Sequence, residues 1–407
     1  MMRRMQAAVV VAVVTWAVHA RAQVASTCSF DAATATMTVT AKGAAADLRA
    51  LKSTGVIRLD GVPCGTATVY NTDTIHVLGT SRSNTLMLTG SFAPGLTPEA
   101  DGSSEIEIDI DMGGDVDWLW VFLGAGNDRL VMTGTGIDVG LDGDEDIYTA
   151  PVDTIYIDGG DGDDIIDASA YTSTPTTGGK LDLYGGPGND KLTGTVRPNY
   201  LYGQDGDDTL YGGDGIDRLY GGPGNDILYG GPGNDRFFAE PTLDGNDILR
   251  GGTGSDMADY GARTNPLNLT LGNGAADDGE AGEADDIVND VEDARGGSGD
   301  DVLVGNSRNN TLIGEDGDNE IHGGAGNDIL QGDIGADILF GDDGNDFLSG
   351  SSGNDTLTGG AGSDTIYGHE GDDLIFNADG EADTVFCDIG IDDAEPDPLD
   401  TLDRCEL

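Results

Sequence analysis

Residues Gly203–Phe238 read GQDGDDTLY, GGDGIDRLY, GGPGNDILY, GGPGNDRFF, four nine-residue units laid end to end. Each has the form G-G-x-G-x-D-x-U-x, with U a large apolar residue. The glycines let the backbone take positive φ and turn tightly, exposing its carbonyls. Asp208, Asp217, Asp226 and Asp235 place a carboxylate at the sixth position of every unit. Leu210, Leu219, Leu228 and Phe237 sit at the centre of three-residue strands and point away from their neighbours. One unit cannot bury a lone apolar side chain. Stacked units can: with two units per coil and coils about 4.8 Å apart, these residues line up in continuous inward columns.

Aspartates repeated at that spacing would repel one another without a hard cation between them, and carboxylate and carbonyl oxygens of this kind suit calcium. The motif resembles that of the RTX, or haemolysin-type, calcium-binding repeat family. The resemblance implies an all-β fold, a parallel β-roll (β-solenoid) of nonapeptide repeats. In that roll the carbonyls of the second and fourth positions and the sixth-position aspartate hold calcium between turns. Carried onto this sequence, it implies multiple calcium ions with carboxylate ligands from Asp164, Asp190, Asp208, Asp217, Asp226, Asp235, Asp247 and Asp256, then Asp301, Asp328, Asp337, Asp346, Asp355, Asp364 and Asp373. The carbonyl ligands would come from Gly186, Gly188, Gly213, Gly215, Gly222, Gly224, Gly231, Gly233, Gly324, Gly326, Gly360 and Gly362.

Working outward, the repeat register divides the chain. Residues 1–22 read as a signal peptide: Arg3 and Arg4, an apolar run Ala7–Val18, then Ala20-Arg21-Ala22 as a cleavage site. A lipoprotein signal ending at Cys28 is the alternative. Residues 23–111 form an N-terminal β region grading into degenerate repeats. Within it GTSRSNTLM, Gly79–Met87, echoes GNSRNNTLI, Gly305–Ile313, so this region is read as a worn solenoid or a β-cap leading into one. Residues 112–180 hold degenerate units, with the strand WLWVF at Trp118–Phe122. The first array occupies 181–259, an interruption 260–295, and the second array 296–376. The interruption carries ADDGEAGEADD, Ala276–Asp286, read as a solvated acidic loop, a further calcium site being the alternative. Asn199, Asn310 and Asn319 replace the sixth aspartate, and asparagine can still offer a carbonyl oxygen. Residues 377–407 lose the glycines and are read as a C-terminal cap.

The chain of 407 residues carries 75 acidic against 19 basic side chains, a formal charge of −56. That argues against nucleic acid or anionic membrane as partner. No second apolar run reaches membrane-spanning length. The expected location is therefore extracellular, secreted by way of the periplasm. Cys28 with Cys64 and Cys387 with Cys405 form two sequence-local pairs, which suggests two disulfides, with unpaired or metal-binding thiols as the alternative.

Catalysis finds little support. His76, His322 and His369 make no HExxH, there is no G-x-S-x-G elbow, and no stretch outside the repeats could house an α/β-hydrolase core. The expectation is a non-enzyme with an extracellular binding, adhesion or structural role, its partners calcium and an extracellular glycan or a cell-surface or matrix protein. A secreted calcium-dependent enzyme acting on polysaccharide is the alternative. The ninth position adds one pattern: Tyr184, Tyr202, Tyr220 and Phe238 would form one ladder and Tyr211 with Tyr229 another. Cross-strand stacking explains such rows, and a strip gripping a glycan is the competing explanation.

Overall fold

The computed structural model describes strands within residues 27–149 (27–31, 36–40, 46–50, 56–59, 62–68, 74–78, 85–89, 107–111, 118–123, 129–132, 136–139 and 147–149), then residues 154–172, 180–390, 392–396 and 398–405. The signal peptide and the Cys28–Cys64 pairing lie outside the residues and side chains so described.

The molecule is a parallel β-solenoid without helix among the described residues. One sheet runs its length. Its strands include Trp118–Phe122, Thr154–Asp158, Lys180–Tyr184, Asn199–Tyr202, Arg218–Tyr220, Arg236–Phe238 and Met257–Asp259, each parallel to the next. It continues through Asp293–Arg295, Thr311–Asp316, Ile329–Ile334, Phe347–Ser352, Thr365–Glu370, Thr384–Ile389 and Thr401–Asp403. Towards the N-terminus the same sheet takes in Thr85–Thr89 and Ala46–Ala50, also parallel. Of the echo at Gly79–Met87, the part within strand Thr85–Thr89 lies in the same sheet as Thr311–Asp316 of the matching stretch.

The opposite face is built in two pieces. Arg129–Met132, Ile165–Asp167, Lys191–Thr193, Thr209–Tyr211, Ile227–Pro232 and Ile248–Thr253 stack in parallel and end on Asp286–Ile287. A second stack begins at Leu267–Thr270 and runs through Val302–Val304, Glu320–His322, Ile338–Phe340, Thr356–Thr358 and Leu374–Phe376 to Asp393–Glu395. The break falls at the interruption.

Registers of eighteen residues, such as Leu201 with Leu219 and Leu219 with Phe237, confirm two units per coil. Within the two arrays the central residue of each three-residue strand is buried, giving two facing columns that include Leu192, Leu210 and Leu228 on one side and Leu201, Leu219 and Phe237 on the other. A side chain entering such a column contributes about 1.5–3 kcal/mol by leaving water, but each unit supplies only one. Inter-coil hydrogen bonds and the turns must supply the rest.

The C-terminal segment is closed by a disulfide, as its cysteines suggested, and the coil runs further into it than the sequence showed. Residues 377–395 are two further units in coil: NADGEADTVF with one residue inserted, and CDIGIDDAE, in which Cys387 stands for the first glycine. Cys387 and Cys405 form a disulfide across this last coil.

Candidate metal centre

The sixth-position residues form four columns, each joined in one way. The backbone N–H of one donates to the Oδ1 of the residue one coil further on: Asp208 to Asp226 at 2.7 Å, Asp217 to Asp235 at 2.8 Å, Asp328 to Asp346 at 2.7 Å and Asp337 to Asp355 at 2.8 Å. In the first array one column runs Asp164, Asp190, Asp208, Asp226, Asp247, Asp285 and the other Asn199, Asp217, Asp235, Asp256, Glu292. In the second array they run Asn310, Asp328, Asp346, Asp364, Asp383, Asp400 and Asp301, Asn319, Asp337, Asp355, Asp373, Asp392. Reading the tail as a cap missed Asp383, Asp392 and Asp400. For Asp383 and Asp392 the signal was present in DGEAD and DIGID, masked by the lost glycines and an inserted residue; Asp400 has no such motif before it.

The second oxygen is treated differently. Oδ2 of Asp190, Asp208, Asp217, Asp226, Asp235, Asp256, Asp328, Asp337, Asp346, Asp355, Asp364, Asp373 and Asp383 is buried with no hydrogen-bond partner among the described residues. A buried carboxylate oxygen left so costs free energy unless something positive meets it. Its surroundings are set by the first glycine of the unit. A methyl group on Gly212 would lie 2.6 Å from Asp217 Oδ2 and 2.7 Å from the Gly230 carbonyl oxygen; on Gly323 it would lie 2.6 Å from both Asp328 Oδ2 and the Gly341 carbonyl. An orphaned carboxylate oxygen and a carbonyl from the next coil thus face one space that glycine leaves open.

The glycines named from the sequence take the expected conformation: Gly186, Gly188, Gly213, Gly215, Gly222, Gly231, Gly233, Gly324, Gly326, Gly360 and Gly362 have positive φ, while Gly224 does not. Second- and fourth-position carbonyls point along the stack. A side chain on Gly222 would strike the Gln204 carbonyl and one on Gly233 that of Gly215, so neither position admits one.

Burial pushes the carboxyls upward, opposed by the N–H donated to Oδ1. In the first array Asp190, Asp217, Asp226 and Asp256 rise to about 7, Asp208 to about 8, Asp247 to about 9 and Asp235 to about 6. In the second, Asp328, Asp337, Asp346 and Asp364 rise to about 6 and Asp355 to about 7. Neighbouring carboxylates add to the rise at most of them.

Asp301 departs from the pattern. Its Oδ1 accepts the Leu267 N–H at 2.8 Å and its Oδ2 that of Gly297 at 2.7 Å, so both oxygens are satisfied. The asparagines depart too. Asn199 turns its amide nitrogen to the Gly212 carbonyl at 3.3 Å, a donor where an aspartate would bring an acceptor. Asn319 likewise puts Nδ2 beside Gly314 in the place of a carboxylate oxygen. Asn310 donates from Nδ2 to the Glu292 carbonyl at 2.5 Å.

A hard cation fits these sites. Among the described residues no three His, Cys, Asp or Glu side chains converge as a metal-holding group. A cation in the stack would therefore need backbone carbonyls beside the aspartates, and an all-oxygen set of that kind suits calcium over softer metals. His322 offers no rival centre: it is stacked on Phe340 at 4.6 Å, with Glu320 at 3.2 Å.

Two further features were not read from the sequence. Fifth-position Asn and Asp side chains form a second ladder near the surface, each accepting the N–H one coil on: Asn189 from Asp207 at 3.0 Å, Asp207 from Asn225 at 2.9 Å, Asn327 from Asn345 at 2.9 Å. The acidic loop is solvated only in part: Ala276, Asp277, Ala281 and Gly282 are exposed. Asp278 and Asp285 are each 1% exposed, because protein donors meet their oxygens.

No curated protein matches the chain. The family model for the RTX calcium-binding nonapeptide repeat (4 copies) matches residues 156–170, 184–219, 211–240, 242–262, 295–330, 314–348, 322–357 and 349–381. These are the coils whose aspartates align in columns, and by them the chain belongs to the RTX calcium-binding repeat proteins.

Proposed function

We propose that this protein is a secreted calcium-loaded β-roll whose arrays fold as calcium binds, acting outside the cytoplasm as a binding, adhesion or structural element. The observation that carries this reading is the row of buried, partnerless Oδ2 atoms, which at Asp208, Asp217, Asp235, Asp328 and Asp346 share an open space with a carbonyl of the next coil. The aspartates of that row would hold the ions, together with Asp164 and Asp247 in the same columns and the second- and fourth-position carbonyls. Asp383 extends the set beyond the sequence reading, and Asp301, already satisfied, falls outside it. Calcium when bound supplies the positive charge that these oxygens lack. The chain's own part is to present the oxygens in register and to shut water out with the leucine columns. Without a cation the same burial opposes folding, because carboxyls with raised pKa values must bind protons or stay in water. A low-calcium cytoplasm would then keep the chain loose and a calcium-rich exterior would close it.

Circular dichroism of the oxidised protein, titrated with calcium after chelation and with magnesium as control, tests this. The expected outcome is a cooperative gain of β signal with calcium alone. A chain equally folded in chelator would sink the coupling.

A further inference from the structure

The carboxylates of the interruption are handled unlike those of the arrays. Asp244 accepts from Arg263 at 2.5 Å and from the Glu240 N–H at 2.8 Å. Glu283 accepts from Arg263 at 2.8 Å, from the Asp244 N–H at 3.1 Å and from the Glu280 N–H at 2.9 Å. Glu280 takes Asn265 Nδ2 at 2.7 Å and Arg263 at 3.5 Å. Asp285 takes the Asp247 N–H at 2.8 Å and the Tyr260 hydroxyl at 2.7 Å. Asp278 takes the Thr270 N–H at 2.5 Å and the Ile287 N–H at 3.0 Å, pinning the two stacks of the broken face together. Glu292 takes the Asp256 N–H at 3.0 Å and pairs with Arg308. All twelve oxygens of these six carboxylates have protein donors; in the loop only Asp286 keeps a buried oxygen without one.

The charge at the centre is Arg263, whose side chain is 0% exposed. Its guanidinium grips Asp244 at the end of the first array and Glu283 and Glu280 in the loop, while its own carbonyl accepts the N–H of Ser298 in the first turn of the second array at 3.0 Å. Both aspartate columns of the first array end here, on Asp285 and Glu292, carboxylates already satisfied by protein groups.

We propose that Arg263 is a built-in cation that lets the junction between the arrays hold its fold without calcium, presenting a finished coil edge to each. A buried guanidinium persists only where carboxylates meet its charge; here Nη2 bonds Asp244 and Glu283 and Nη1 reaches Glu280, while Nε is buried without a hydrogen-bond partner among the described residues. On one side the finished edge is Met257–Asp259 under Asp293–Arg295, and on the other Leu267–Thr270 under Val302–Val304.

The contrast rests on the calcium reading of the arrays, and the test separates the two. Hydrogen–deuterium exchange of the full, oxidised chain is followed by mass spectrometry in calcium and in chelator. In chelator, peptides within 257–295 should exchange at least tenfold more slowly than those within 203–238 and 323–376. Fast exchange of all three overturns the proposal and leaves the calcium reading intact. Equal protection of all three overturns the calcium reading and, with it, the distinction drawn here. Arg263→Met frees Asp244, Glu280 and Glu283, so protection of 257–295 should become calcium-dependent, with Arg263→Lys intermediate; unchanged protection of Arg263→Met in chelator overturns the role given to the guanidinium. If Arg263→Met does not fold even in calcium, the wild-type comparison still decides.

Discussion

The two arrays share one nonapeptide and differ in what the motif leaves free. In the first, the ninth position of the long sheet carries a ladder of rings. Tyr202 lies between Tyr184 and Tyr220 at centroid distances of 4.5 and 4.6 Å, Tyr220 stacks on Phe238 at 4.5 Å, and Trp120 and Tyr156 prolong the row at 4.5 Å. In the second array the corresponding strands bring Ile313, Gln331 and Ser349 before rings return at Tyr367 and Phe386. The first array also holds its aspartates further from their ordinary range, mostly at about 7 or above against about 6 in the second. The motif sets the cradle for the cation. The free positions set how much the stack adheres without it, and the array with the more costly carboxylates is the one with the rings.

The largest expected effect that separates the arrays is their response to pH in chelator. A carboxyl whose folded pKa lies above its unfolded value, near 3.8, favours the folded state below that unfolded value, and the contribution is lost as pH rises through the folded pKa. Metal-free protein should therefore be most ordered near pH 4, with protons in the place of calcium. On raising the pH, the second array should open at about 6 and the first at about 7 to 8, following Asp328, Asp337 and Asp346 against Asp190, Asp208 and Asp217. Exchange rates of peptides from 203–238 and 323–376 across pH 4–8 check this. Simultaneous opening would erase the electrostatic half of the comparison.

A smaller and one-sided effect is expected from Cys405→Ser. The disulfide closes eighteen residues of the last coil, and a loop of that size restricts the unfolded chain by about 3 kcal/mol. The loss should fall on the second array, whose terminal coil it closes. Calcium-saturated urea denaturation read by array-specific peptides should show the second array melting earlier and the first unmoved. Equal shifts would mean that the arrays unfold as one unit, and that the junction transmits rather than separates.

The repeats were legible because their chemistry is local: a glycine, an aspartate and a leucine at fixed spacing each report one backbone requirement. Two units per coil and a carboxylate at the sixth position of each unit were readable from that spacing. What escaped was whatever depends on the partner one coil away. Asn199 reads as a possible oxygen ligand until its amide nitrogen is seen facing the Gly212 carbonyl. The acid-rich loop reads as solvated because its cation, Arg263, lies more than a dozen residues earlier and outside any motif. Asp383 was hidden by one inserted residue, which shifts the coil spacing from eighteen to nineteen between Asp364 and Asp383 while keeping the ladder bond. Linear spacing encodes the coil; neighbours in the stack decide the charge balance.

The smallest predicted effect tests what the rings are for. Interplanar angles of 4° and 14° put both faces of the Tyr202 ring against Tyr184 and Tyr220, and a sugar would need one of those faces to stack upon. Tyr202→Leu keeps apolar cover on the strand and removes two ring contacts, each worth about 0.5–1.5 kcal/mol beyond area. The first array should lose about 1–2 kcal/mol in calcium, seen as a lowered urea midpoint for peptides within 203–238. Ser349→Leu, at the equivalent place in the second array, should leave that array within about 0.5 kcal/mol of its starting stability. If Tyr202→Leu instead keeps its stability and loses retention on an immobilised glycan, the ladder is a binding strip and the difference between the arrays is one of function; if only stability falls, the rings bind the coils to one another.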